Sequence, residues 1–190
     1  MLTKIYATII VMAALVTLAS LSVMALFTNT ESLPANTFTT GDVDISVSPA
    51  SALVTFAGMA PGDQVTAPLT VDNDGSLQLR YAVTSTTTED VLAGQLDMTI
   101  KSGVTTCTNA GFGTDGSVVY ATGDLGSTAG VNVIGNPAQG AQAGDRSLNA
   151  SASEVLCFNV SLPLSTGNSF QGLTTTATLS FQAEQTSNNP

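Results

Sequence analysis

The chain has 190 residues with no His and no Trp, and it sets only four Lys or Arg against 14 Asp or Glu, a formal net charge of −10. Without His, neither a Ser-His-Asp or Cys-His nucleophile nor a His-Glu-x-x-His zinc site can be assembled. So few cations also exclude nucleic acid and anionic membrane as natural partners, because phosphates are held by Lys and Arg.

Residues 1–25 read as a secretory signal. Lys4 is its only charge, an apolar run extends from Ile9 to Leu21, and Val23-Met24-Ala25 closes it with the kind of residues a signal peptidase reads. The alternative is a retained anchor, since residues 5–26 are long enough to span a bilayer. The Val-x-Ala ending favours cleavage after Ala25. That leaves 165 residues, enough for one domain with a substantial core, in which Arg80, Lys101 and Arg146 are the only cations. The Thr-rich, Lys-poor composition fits an extracellular β protein.

After a polar arm, residues 26–36, apolar side chains recur with a period of two. Val43, Ile45 and Val47 begin the pattern, and Val54 and Phe56 continue it. Leu69 and Val71 follow, then Leu77, Leu79, Tyr81 and Val83, then Leu96, Met98 and Ile100. Leu156, Phe158, Val160 and Leu162 form the next stripe, and Ala177, Leu179, Phe181 and Ala183 the last. These predict seven half-buried strands. Pro61-Gly62-Asp63 and Gly167-Asn168 mark turns, and Asn73-Asp74-Gly75 predicts a hairpin. Glu89 to Gln95 offers one short helical turn at most. Residues 103–153 break the rhythm as a loop-rich insertion, strand-like only at 118–120 and 131–134. They interrupt a domain spanning 37–186, and residues 187–190 are expected as a disordered tail. Short strands separated by Gly, Pro and Asn turns predict an all-β fold, an antiparallel sandwich or jelly roll.

Cys107 and Cys157 are the only cysteines, and in an exported protein they are expected to form one disulfide. Closing a loop of that length would stabilise by about 3–4 kcal/mol in the chain-entropy model. Two buried free thiols are the alternative. The carboxylates show no convergent spacing for a glycosidase pair or a metallohydrolase, so no catalytic residue, cofactor or metal is assigned. Asp72-Asn73-Asp74-Gly75 resembles part of a calcium loop but lacks the closing acidic ligand, and a plain turn explains the same residues. Asn149-Ala150-Ser151 and Asn159-Val160-Ser161 match the N-glycosylation pattern, the second inside a predicted strand. Phe56, Phe158 and Phe181 read as core. Phe27 stands apart, at the new N-terminus with no partner in its own arm.

Several blocks together resemble the TasA/camelysin family of secreted bacterial proteins, whose archaeal relatives form pili. "ALFTNTES" is similar to the family's signal-peptide junction. "NTFTTGDVDISV" resembles its first strand motif, and "MAPGDQVTAPLTVDNDGSLQLRYAV" the block that follows. "VLCFNVSLP" and "TATLSFQAEQT" are similar to the closing strands. Residues 103–150 carry no such motif. The resemblance implies a jelly-roll-like antiparallel β-sandwich with an N-terminal extended arm. It also implies extracellular fibres built by donor-strand exchange, in which one subunit's arm adds a strand to the next. Some members carry a peptidase description, which a chain without His gives no reason to adopt.

An arm suited to β-augmentation needs β-tolerant residues, few charges and apolar anchors at alternate positions. Leu26, Thr28 and Thr30 fall on one face and Phe27 and Asn29 on the other. Phe27 and Leu33 are the expected anchors, and Pro34 ends the pairing. The expectation is a secreted structural subunit of a biofilm matrix or cell surface, polymerising with itself through this arm. Its other partner is signal peptidase during export, and it meets a membrane only through an uncleaved signal segment. An arm paired with its own sheet, or a disordered lead, is the rival at that level. At the level of function the rivals are a monomeric adhesion module using the 103–150 loops and a secreted hydrolase.

Overall fold

Alternating apolar and polar side chains become strands whose inner faces meet across a shared core. In chain order they are β1 (Ile45–Ser48), β2 (Gln64–Asn73), β3 (Leu79–Thr87), β4 (Asp97–Ser102), β5 (Ser117–Asp124), β6 (Val131–Ile134), β7 (Arg146–Leu148), β8 (Ser153–Ser161) and β9 (Ala177–Gln185). The computed structural model describes residues 37–51, 53 and 57–189, with Thr3, Ile5 and Tyr6. The predicted signal segment with Ala25, the predicted arm with Leu26, Phe27, Thr28, Asn29, Thr30 and Leu33, and the predicted strand at Val54 and Phe56 lie outside the described residues. The chain divides into two units, Met1–Thr39 and Thr40–Pro190. All nine strands belong to the second.

Two antiparallel sheets form an all-β sandwich. One has the order β1-β2-β8-β4-β5; in the other, β9 pairs one flank of β3 while β6 and β7 share its opposite flank. Strand β8 is the axis of the larger sheet, paired with β2 from Ser153 to Ser161 and with β4 from Leu156 to Ser161. Its inward residues Leu156, Phe158 and Val160 pack in the same core as Leu69 and Val71 of β2 and Leu79, Tyr81 and Val83 of β3. Pro68, which cannot donate to a ladder, lies opposite Cys157. Strand β1 ends opposite Thr70, so among the described residues β2 has no neighbour on its other side at Pro68.

The sheets are tied by a polar cluster as well as by the core. Glu154 on β8 accepts a hydrogen bond from the Tyr81 hydroxyl at 2.7 Å and from Arg146 Nε at 2.9 Å, joining the larger sheet to β3 and β7 of the smaller. Burial, and then the hydrogen bond to Glu154, push the Tyr81 phenol well above its ordinary value, so it stays a donor at any physiological pH. On the outer face of β8, Cys157 is disulfide-bonded to Cys107, which pins the β4–β5 loop against the sheet. Lys101 reinforces that loop by donating to the carbonyl of Phe112 at 2.8 Å and lying over its ring.

The predicted hairpin at Asn73-Asp74-Gly75 is corrected. Strands β2 and β3 do not pair; the chain crosses there from one sheet to the other. The buried Asn73 side chain drives the crossing. Its Nδ2 lies 2.9 Å from Leu77 O, 3.1 Å from Leu148 O and 2.9 Å from Asn149 O, and its Oδ1 accepts from Gly75 N. With both ends of its amide engaged, Asn73 shapes 72–75 as the turn of that crossing. The chain entering the unit packs on this crossing. Asp42 accepts from Ser76 Oγ, and its carbonyl accepts from Leu77 N. A Cβ on Gly75 would meet Asp42 O and Asp44 N at 2.7 Å, so the close approach requires glycine.

Strands β5 and β6 occupy the two strand-like stretches of the 103–153 region. Strand β7 adds a third that periodicity did not mark, being only three residues long. Residues 91–95 form turns, where Glu89 accepts hydrogen bonds from the amides of Val91, Leu92 and Ala93. Where the sequence suggested a disordered tail, Asn189 O accepts a hydrogen bond from Arg80 and Asn189 Nδ2 donates to Gln185 O.

Two stability predictions follow from these contacts. Replacing Cys107 or Cys157 by Ser lowers stability by about 3–4 kcal/mol in denaturant titration under oxidising conditions and leaves it unchanged under reducing ones. Asn73→Ala strands buried carbonyls and costs about 2–4 kcal/mol in the same titration, whereas exposed Asp74→Ala costs under about 1 kcal/mol.

Candidate functional site

A strand edge is a row of unpaired backbone donors and acceptors, and proteins usually blunt it. The two edges of the larger sheet are blunted in different ways. Strand β1 is four residues long. Strand β5 is broken by register shifts between Met98 and Lys101 of its partner. Strand β9 is different. It runs nine residues in unbroken register with β3, Ala177 opposite Thr87 through Gln185 opposite Leu79, and among the described residues no strand pairs its other edge.

Beneath the first half of this open edge lies an apolar groove of about 420 Å³. Its floor is made by core side chains of the larger sheet, Met98, Phe158 and Val160. Val65 and Leu53 line it from one side, and Leu179 with Thr174–Ala177 from the β9 side. Leu179 and Phe181 are only half-buried although they sit on the inward face of β9. An apolar cleft open between two sheet edges, beside a long unpaired strand, is the geometry into which a further strand fits. Ladder bonds would come from β9, and pockets would take alternate side chains.

The groove and the point where the chain enters lie at opposite ends of the sandwich. The groove is beside Ala177 and Val65, at the starts of β9 and β2. The entering chain is held by Ser76 and Leu77, beside Leu79 and Gln185. Eight strand residues separate those ends, about 27 Å at 3.4 Å each. Upstream of the unit, Phe38 is 94 % exposed, the most exposed of the large apolar side chains among the described residues. Sequence reasoning treated Phe38 only as part of a strand motif. Its place outside any strand, ahead of β1, was the signal it missed.

A second, polar cavity of about 140 Å³ lies at the other end of β9, where Arg80 is 7 % exposed. Arg80 Nε donates to Glu184 Oε1 at 2.6 Å, and Gly140 N donates to the same oxygen at 3.0 Å. Asp145 closes the neighbouring loop by accepting from Asn136 N and Gln142 N. These bonds occupy the polar groups with one another and fasten the 135–145 loop and the chain end to β9.

The sequence matches the family model described as camelysin metallo-endopeptidase over residues 1–189. The chain belongs to the camelysin family. No curated protein matches it. Among solved structures it is similar to the sporulation control protein Spo0M from Bacillus subtilis, at 12 % identity over 77 % of this chain and with a TM-score of 0.26. The chain spans 47 % of that protein. Membership fits a secreted or surface structural protein.

The family's printed description is that of a metal-dependent peptidase. Among the described residues no group of three His, Cys, Asp or Glu is gathered to hold a metal. The sequence supplies no His, and both cysteines are spent on the disulfide. Among the described residues, no helix is long and apolar enough to cross a membrane.

Glu184 supplies a test of the Arg80 end. The hydrogen bond from Arg80, then contact with Asn189, holds its carboxyl below the usual Glu value. A carboxyl depressed in the folded state adds stability above its unfolded value, about 4.5, and that stability is lost as pH falls through the folded value. Unfolding followed from pH 7 to pH 2 should therefore show a smaller acid-induced loss in Glu184→Gln than in the unaltered protein, with the two curves converging at low pH.

Proposed function

We propose that this protein is a secreted, non-enzymatic structural subunit that assembles into extracellular fibres by donor-strand exchange. The segment 26–34 of one subunit lies in the groove beside β9 of the next. Phe27 and Leu33 are its apolar anchors, and exposed Phe38 is a third point of contact as the chain leaves the arm. The observation that carries this reading is the unpaired nine-residue edge of β9 over an apolar groove. Its placement supports a partner in trans. The chain enters the domain at one end and the groove opens at the other, so head-to-tail stacking brings the arm of one copy to the groove of the next. To fill its own groove, an arm would have to return the full length of the sandwich. Contacts of this kind are heterologous and propagate as a filament.

The rival reading, a monomeric adhesion module using the 103–150 loops, gains less. The first part of that region is held down on the outer face of the larger sheet. Besides the disulfide and Lys101, Asn109 donates to Gln64 O at 2.9 Å. A loop fixed in this way is a cover for the sheet more than a free recognition surface.

The test uses the chain from Leu26 beside a truncation from Leu33, each concentrated and viewed by negative-stain electron microscopy. Filaments form from the first and not from the second. A groove variant, Leu179→Glu, places a carboxylate in the apolar cleft and abolishes filaments while the monomer still melts cooperatively. Mixing that variant, which keeps its arm, with the truncation, which keeps its groove, gives a 1:1 heterodimer and nothing longer. Well-folded monomers at every concentration, alone and mixed, would overturn self-assembly through the arm.

A further inference from the structure

The two Asn-x-Ser sequences are equivalent as text, and the fold makes them unequal. Asn159 lies in β8, between Thr66 of β2 and Thr99 of β4, and is only 7 % exposed. Its Nδ2 donates to Gln64 Oε1 at 3.0 Å and Thr66 Oγ1 at 2.7 Å, so both amide protons are engaged. Asn149 is exposed and opens the β7–β8 turn, in which Ala152 N donates to Asn149 O at 3.1 Å. Its Oδ1 accepts from Gln78 Nε2 at 2.7 Å, and Gln78 Oε1 in turn accepts from Thr186 Oγ1 at 2.7 Å. That chain of hydrogen bonds fixes the side-chain oxygen toward β9 and, among the described residues, leaves Nδ2, the atom that would carry a sugar, uncommitted.

We propose that Asn149 is an N-linked glycan acceptor and that Asn159 is not. The reaction partners are an oligosaccharide activated on a lipid phosphate and an oligosaccharyltransferase of the export route. Nδ2 of Asn149 forms a bond to the anomeric carbon. The bond from that carbon to the phosphate oxygen breaks, its electron pair leaving with the lipid phosphate, and the Nδ2 proton passes to a base of the transferase. The product keeps Oδ1 free, so the hydrogen bond from Gln78 survives modification. The turn also presents the sequence well: Ser151 has φ 57°, which lifts the backbone out of the strand path directly after Asn149. Asn149 sits at the Gln185 end of β9, about 27 Å along the strand from the groove, so the glycan leaves the subunit's own apolar cleft uncovered. The inference stands independently of fibre assembly.

The experiment takes the protein from the cells that encode it and maps it by mass spectrometry after denaturation. Cleavage after Arg146 and Glu154 releases Ser147–Glu154, which carries Asn149 alone. Cleavage after Glu154 and Glu184 releases Val155–Glu184, in which Asn159 lies in the single Asn-x-Ser sequence. The expected result is a saccharide mass on the first peptide and none on the second. That mass disappears in Asn149→Gln and persists in Asn159→Gln. Ser151→Gly removes the acceptor sequence while suiting the positive φ, so it loses the sugar without loss of folding, and Ser151→Thr keeps it. An unmodified Ser147–Glu154 peptide from the native source, or a saccharide on Val155–Glu184, would overturn the assignment.

Discussion

Strand β8 must be hydrogen-bonded on both edges, apolar on one face and closed on the other, and the arrangement of the sandwich follows from how that is met. Its neighbours β2 and β4 satisfy the backbone. Leu156, Phe158 and Val160 supply the inner face, and their burial against β3 is the main apolar contribution to stability. On the outer face, the disulfide from Cys157 and the loop it holds keep water from the middle of the sheet. At its first residues, Glu154 reaches across to Tyr81 and Arg146 and fixes how the two sheets lie on one another. That carboxylate is anchored by a neutral phenol and a cation together, so the inter-sheet contact is polar without leaving an unpaired buried charge.

Edges are the second constraint. A sandwich of two open sheets has four flanks to manage, and this one treats them differently. Shortness ends β1, bulges interrupt β5, and β6 and β7 divide one flank of β3 between them. Among the described residues the flank left whole is that of β9, and it borders a groove in which core side chains such as Phe158 and Met98 line an open cleft. A monomer that kept this surface bare would risk aggregation. A subunit that uses it for a specific neighbour turns the same liability into an assembly site, with register set by which pockets the neighbour's apolar residues fill.

The family is described as a metallo-endopeptidase. Peptide hydrolysis by a metal needs ligands and a general base gathered within a few ångströms. In this chain several carboxylates serve local structure. Glu89 and Asp90 cap turns, Glu154 and Glu184 pair with arginines, and Asp145 closes a loop. Each contributes to holding a loop or a sheet in place.

Much of this was written in the sequence. Period-two stripes at Leu69–Val71, Leu79–Val83, Met98–Ile100, Leu156–Val160 and Leu179–Phe181 determine strands and their inward faces, because a strand's side chains alternate whatever its partner. The lone cysteine pair in a chain read as exported marked the disulfide. The missing His excluded whole classes of catalysis. Tertiary structure decided the rest, because pairing is a choice among long-range partners that no local pattern encodes. Asn73-Asp74-Gly75 has the letters of a hairpin, yet the Asn73 amide finds carbonyls 75 and 76 residues away and turns the crossing between sheets. The same long-range pairing gave β7 a place on β3, separated two Asn-x-Ser sequences into one buried and one exposed, and left β9, among the described residues, with a single neighbour. The sequence determined that this protein would be built of half-buried strands; only the assembled sandwich decided which edge stayed open, since an edge exists only once every other strand has found its partner.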